Sequence, residues 1–189
     1  MTLWPEVVAG TTSSRPVGSI TQIFISDQNS DPPDLLQVAI NSVKQSFSSH
    51  QYTLYNNESL RAFIAKHFGQ EVVAAYDKLV PYAYKADLGR YCLLYQQGGW
   101  YADISILMRQ KVTGMNAGID MVYFSDLGDG VVPGRSLFDV SNSLLYARPR
   151  LDVLERAIEK VVLHCQQNYY GQSIYCPTGP SVLGAAIAA

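Results

Sequence analysis

Apolar and polar positions along the chain follow two rhythms, one of strands and one of helices. Ser19–Ser26 (SITQIFIS) is a short run of β-branched and aromatic residues, which predicts a strand. Asp27–Pro33 has the composition of a loop with turn chemistry. From Asp34 to Phe47, the apolar residues Leu35, Val38, Ala39, Val43 and Phe47 recur at helical spacing. Tyr52–Tyr55 reads as a second strand, and Asn57–Phe68 and Gln70–Leu79 as helices split at Gly69. Strand and helix alternate, which favours a layered α/β fold. Pro81 opens a helix to about Gln97 that the pair Gly98-Gly99 ends. Trp100–Leu107 reads as a strand or extended turn, Asp120–Phe124 (DMVYF) as a strand, and Leu137–Ala147 as a further extended stretch. Pro149–Tyr169 is a long amphipathic helix with Leu151, Leu154, Ile158, Val161 and Val162 on its inner side. A Cys-Pro-Thr-Gly-Pro turn leads into a last helix of small residues from Ser181, for which Thr178 is the expected N-cap. Residues 1–18 read as a loose leader and 19–189 as a single domain. The sequence stops on AAIAA with no polar stop, the pattern of a fragment or of a shortened version of something longer.

Composition narrows the function classes. With 48% apolar residues, the 189-residue chain has enough for a sizeable core, and a net charge of −2 gives no electrostatic case for nucleic acid. The N-terminus lacks a basic region followed by an apolar run, so it does not read as a signal peptide, and no stretch of about 18 apolar residues suggests a membrane span. A cytoplasmic protein is the expectation, and a peripheral contact with the inner membrane face is compatible with it. Cys92, Cys165 and Cys176 match no zinc or redox spacing, and His50, His67 and His164 show no ligand spacing.

The chemistry concentrates in one segment, YKADLGRYCLLYQQGGWYADIS, from Tyr84 to Ser105. Asp87 and Arg90 are three apart and share a helix face. After the double glycine the chain reverses, and a short strand can return Asp103 to the same sheet edge. That edge would then carry two carboxylates and a guanidinium where α/β folds bind ligands. Taken singly, Asp87 and Arg90 also fit a surface ion pair, Gly98-Gly99 a helix cap and Asp103 a turn residue.

Together, the Asp-x-x-Arg helix, Gly-Gly, an aromatic and Asp103 resemble the family 32 glycosyltransferases, the relatives of initiating mannosyltransferases and of capsular and lipopolysaccharide sugar transferases with a "DXD sugar-binding" region. Gln22–Ser26 (QIFIS) is similar to that family's first strand, VSNSLLYARP around Asn142 to its Asn-containing strand, and Thr178-Gly179-Pro180 to its late turn. The resemblance implies a GT-A type, Rossmann-like mixed sheet flanked by helices. It also implies transfer of a hexose, with retention of configuration, from a UDP-sugar or GDP-mannose to a carbohydrate or glycolipid acceptor. Asp87 and Arg90 then correspond to residues that hold donor-sugar hydroxyls, and Asp103 to the first acid of Asp-x-Asp. Phe24 stands where a Trp often stacks on the base, with Ile25 and Ser26 lining it. Gly99, Asn142 and Thr178 join the implied donor site. The implied cofactor is Mn²⁺ or Mg²⁺ at Asp103 and Ser105.

The motif departs from Asp-x-Asp at its second acid, since Ser105 offers a hard cation a poorer ligand than a carboxylate. Three readings follow: weak or water-mediated binding at Ser105, a substitute carboxylate from Asp126 or Asp129, or a cation such as Arg109, Lys111 or Arg135 neutralising the diphosphate.

Overall fold

The computed structural model describes residues 18–27, 30–112, 118–125 and 139–189. Its elements are β1 (Ser19–Ile23), α1 (Asp34–Ser46), β2 (Gln51–Tyr55), α2 (Asn57–His67), α3 (Gln70–Lys78), α4 (Tyr82–Gln97), β3 (Gly99–Ala102), β4 (Met121–Ser125), β5 (Val140–Ala147), α5 (Asp152–Gln167) and α6 (Pro180–Ala188). The sheet order is β2-β1-β3-β5-β4. The unit β1-α1-β2 makes a parallel pair, β3 joins β1 in parallel, and β5 and β4 add antiparallel, so the sheet is mixed.

Alternation along each strand sorts side chains between two helical layers. Ile20, Trp100 and Ala102 face α1, where Val43 and Phe47 close a small core. Ile23, Tyr101, Leu145 and Ala147 point the other way, into a larger core with Leu60, Ile64, Tyr91, Leu154, Ile158 and Leu183 from the helices opposite. Helix α4 is buried along Asp87–Tyr95, which is why its hydrophobic residues surround it rather than forming one stripe. It crosses α2 at Gly89, where a Cβ would meet the Leu60 side chain at 2.6 Å. Asn56 and Ser59 close a reciprocal capping box at the start of α2.

Three sequence expectations shift, each for a local reason. The strand expected over Trp100–Leu107 ends at Ala102. The Asp103 amide donates to the Ser143 carbonyl, and the Ile106 amide donates back to the Asp103 carbonyl, closing a turn through Ile104 and Ser105. The helix expected from Pro149 starts at Asp152, because Arg150 is left-handed (φ 61°) and its amide bonds the Tyr95 carbonyl. Gly179, not Thr178, is the N-cap of α6, with Pro180 in its first turn.

Candidate active site

Strands β1 and β3 run parallel, so the residues after both emerge at one edge of the sheet: Phe24–Ser26 after β1 and Asp103–Ser105 after β3. β5 runs the other way and brings its first residues, Ser141–Ser143, to that same edge. α4 passes beneath and presents Asp87 and Arg90.

Arg90 is the hub. Its Nη2 lies 3.0 Å from Asp87 Oδ1 and its Nη1 lies 3.1 Å from Asp103 Oδ1. Nη1 also donates to the Asn142 carbonyl at 2.5 Å and Nε to the Ala86 carbonyl at 3.3 Å, while the guanidinium stacks 4.6 Å from the centre of the Tyr101 ring. Burial pulls the pKa of Arg90 down, but the neighbouring carboxylates, Asp103 first, outweigh it, so the net shift is upward and the group stays cationic. One cation between two carboxylates leaves a net negative centre that can take a cationic or hydrogen-bond-donating ligand.

Asp87 is enclosed. Asn142 Nδ2 donates to its Oδ1 at 2.8 Å, and the Thr178 hydroxyl donates to its Oδ2 at 2.7 Å. Burial pushes its carboxyl upward, against the opposing effects of Arg90, Thr178 and Asn142. Asn142 Nδ2 also reaches the Tyr91 hydroxyl (3.2 Å), and that hydroxyl donates to the Gly179 carbonyl (3.2 Å), tying α4, β5 and the start of α6 into one buried network. Thr178, expected both as a cap and at the donor site, is fully buried, and its hydroxyl is committed to Asp87.

Asp103 is held at its backbone and on one oxygen. Tyr101 OH donates to its Oδ1 at 2.7 Å, and Gln22 Nε2 donates to its carbonyl at 3.0 Å. Gln22 is itself fully buried and accepts from Tyr52 OH at 2.9 Å. No hydrogen bond to Asp103 Oδ2 occurs among the described residues.

Two clefts meet at this centre. The first, about 290 Å³, is lined by Phe24, Ile25, Tyr82, Tyr101, Ile104 and Ser105 among others. The second, about 350 Å³, is lined by Tyr84, Asp87, Asn142, Ser143, Ile174 and Tyr175 among others. Arg90, Asp103 and Ala83 belong to both walls. Of the residues expected at the donor and metal sites, Asp87, Arg90, Asp103, Asn142, Phe24, Ile25 and Ser105 therefore border at least one of the clefts. Ser26 turns its hydroxyl to Ser30, 3.1 Å away. Gly99 sits at the far end of β3, where its φ of 91° and a Ser19 carbonyl that a Cβ would meet at 2.8 Å leave no room for a side chain. Arg109 and Lys111 line neither cleft, and Asp126, Asp129 and Arg135 lie outside the described residues. Sequence reasoning assigned no site role to Gln22, Tyr52, Tyr91 or Tyr101. A polar Gln inside the apolar run SITQIFIS was the available signal for the first, whereas a tyrosine suits core and polar surroundings alike.

Residues 33–122, which hold Asp87, Arg90, Asp103 and Ser105, match the model of a family described as "Glycosyltransferase sugar-binding region containing DXD motif". An uncharacterised glycosyltransferase of Acanthamoeba polyphaga mimivirus is 32% identical over 93 residues, which are 49% of this chain and 37% of that protein. The solved structure of the PaToxG glycosyltransferase superposes with a TM-score of 0.66 at 13% identity, over 90% of this chain and 67% of that one. The matched region and the viral relative are both those of glycosyltransferases. The glycosyltransferase fold agrees with the mixed sheet and its helical layers, and is α/β and GT-A-like. This chain spans about a third of the length of the viral glycosyltransferase, 37%. No helix among the described residues is long and apolar enough to cross a membrane.

Proposed function

We propose that the chain transfers a hexose from a nucleotide-diphospho-sugar, a UDP-sugar or GDP-mannose, to a hydroxyl of a carbohydrate or glycolipid acceptor, with retention of configuration, as in family 32. The observation that carries this is Arg90, held between Asp87 and Asp103 on the wall shared by two clefts. The first cleft suits the nucleoside, since the half-buried Phe24 offers a ring on which a base can stack. The second suits the sugar, because Asp87, Arg90 and Asn142 supply both acceptors and charge-assisted donors to its hydroxyls. The diphosphate then lies near Asp103 and Ser105, where the clefts meet. In the transfer, the acceptor hydroxyl oxygen bonds to the anomeric carbon. The bond from that carbon to the diphosphate oxygen breaks, its electron pair leaves with the nucleoside diphosphate, and the hydroxyl proton passes to the leaving diphosphate.

A divalent cation, Mn²⁺ or Mg²⁺, fits the residues present as a minority ligand set. Asp103 Oδ2 is the carboxylate oxygen without a protein partner among the described residues, and the exposed Ser105 adds a neutral hydroxyl. The remaining ligands would be diphosphate oxygens and water. Such a cation supplies charge neutralisation for the leaving group. No group of three or more His, Cys, Asp or Glu among the described residues is arranged to hold a metal by itself.

The test is donor turnover with UDP-glucose, UDP-galactose, UDP-N-acetylglucosamine and GDP-mannose, each with Mn²⁺, Mg²⁺ or chelator. One donor is expected to release nucleoside diphosphate, and Asp103→Ala to lower that rate by about a hundredfold or more. Unchanged turnover in Asp103→Ala overturns the proposal. Ser105 in place of a second acid supports one other reading, a module that binds nucleotide sugars without transferring them. That module would be stabilised by a donor and release no diphosphate under any metal condition.

A further inference from the structure

A third cavity, of about 280 Å³, lies outside the two clefts, between the corner Leu79–Pro81, the end of α5 and the turn Pro177–Thr178. Three of the polar residues in its wall are engaged within the protein. Lys78 Nζ donates to the Cys165 carbonyl at 2.6 Å, His164 Nδ1 lies 2.9 Å from the Pro177 carbonyl, and the Thr178 hydroxyl is bonded to Asp87. What the wall offers a ligand is therefore largely carbon, from Leu79, Val80, Pro81, Tyr84 and the ring of Tyr169. Its rim leaves apolar side chains in water: Val80 is 82% exposed and Tyr170 71%. Adjacent exposed apolar residues around a concavity mark a binding surface.

The cavity adjoins the sugar cleft. Tyr84 lines both, and Thr178 reaches from the cavity wall to Asp87. Beyond Tyr84 the sugar cleft continues to Ile174, which is also mostly exposed. A molecule lying across Tyr84 would have one end in the cavity and the other at Asp87 and Arg90. A free saccharide in the cavity would lose water contacts that a wall made mostly of carbon replaces only in part, whereas a hydrocarbon chain needs none replaced.

We propose that this cavity receives the apolar aglycone of the acceptor. On this view, which rests on the transferase reading above, the acceptor is a sugar joined to a hydrocarbon chain. The chain fills the cavity, and the sugar hydroxyl is delivered across Tyr84 to the donor.

The experiment compares methyl, butyl, hexyl and octyl glycosides of one acceptor sugar, below their micellar concentrations and at fixed donor. KM is expected to fall with chain length by up to about fourfold per buried methylene and then to level off once the cavity is full. Val80→Asp and Tyr170→Asp place a charge on the rim at exposed positions, where the fold tolerates it, and should bring the methyl-to-octyl KM ratio close to one. Equal KM for the methyl and octyl glycosides in the unsubstituted protein overturns the inference while leaving transfer itself intact. Thermal shift without nucleotide provides a readout independent of turnover: the octyl glycoside should stabilise the chain and the methyl glycoside should not. Stabilisation of that kind in a protein that turns over no donor would uphold the cavity and remove the transferase reading. Equal stabilisation by an octyl chain with a zwitterionic head in place of the sugar would overturn the assignment to an acceptor.

Discussion

Asp87 and Asp103 are the two carboxylates of one arginine, yet they inhabit different surroundings. The side chain of Asp87 is 12% exposed and that of Asp103 is 31%. Asp87 is bonded on both oxygens by residues from α4, β5 and the turn before α6. Asp103 is fixed through its backbone by Gln22 and Ser143 and keeps one oxygen free of partners among the described residues. The enclosed side of the site is thus a framework, with its polar groups satisfied before any ligand arrives. The open side is oriented from behind and unsatisfied in front, which is the arrangement expected of a group that must meet a ligand.

The most severe way to break this comparison is to remove the shared cation. Arg90→Ala strips a buried carboxylate of its counter-charge, which typically costs about 3–5 kcal/mol. Asp103→Ala, at a partly exposed position, should cost less, about 1–3 kcal/mol, because it leaves the buried Tyr101 hydroxyl without its acceptor. Urea unfolding of the two variants checks this, and equal losses would erase the distinction between framework and open side. An intermediate effect is expected at Thr178. Thr178→Val keeps the shape and deletes the hydroxyl on Asp87 Oδ2, leaving a buried acceptor short of one donor, at about 1–3 kcal/mol. Thr178→Ser should restore most of that stability, and failure to restore it would mean that packing, not the hydrogen bond, sets the cost. The mildest change addresses the open side alone. Ser105→Asp should leave stability within about 0.5 kcal/mol and lower the Mn²⁺ concentration for half-maximal turnover by roughly tenfold, since a carboxylate is the better ligand for a hard cation. An unchanged metal requirement would separate residue 105 from the cation.

Much of the scaffold was legible from periodicity. The alternation of β1, α1, β2 and the helices after it, and the end of α4 at Gly98, follow from local rules that the surroundings did not override. The three-residue spacing of Asp87 and Arg90 placed them on one helix face, and the double glycine returned Asp103 to them. Burial was not legible: the same spacing describes a surface ion pair, and only the packing of α5, α6 and β5 around α4 decides otherwise. The partners of the cluster were least visible. Gln22 is 81 positions from Asp103 and Thr178 is 91 from Asp87, so nothing local in the chain announces either contact. Tyr91 and Tyr101 look like core residues because most of each side chain is core, with the hydroxyl alone reaching the site.

The close approach of Gly99 to Ser19 carries a consequence for how the site is indexed. β3 has four residues, and Asp103 is the next one after them. In a strand this short, a slip of one position would move Asp103 by about 3.3 Å and turn Trp100 and Tyr101 to the wrong faces. Gly99 lets the strand lie where it does: a Cβ there would meet the hydroxyl and the carbonyl of Ser19 on the neighbouring strand, the carbonyl at 2.8 Å, so β3 can pair this closely with β1 only while residue 99 has no side chain. The position of Asp103 therefore depends on the opposite end of its strand, roughly 13 Å away. A substitution there would silence the site as a displaced ruler misreads a length, with every chemical group still present.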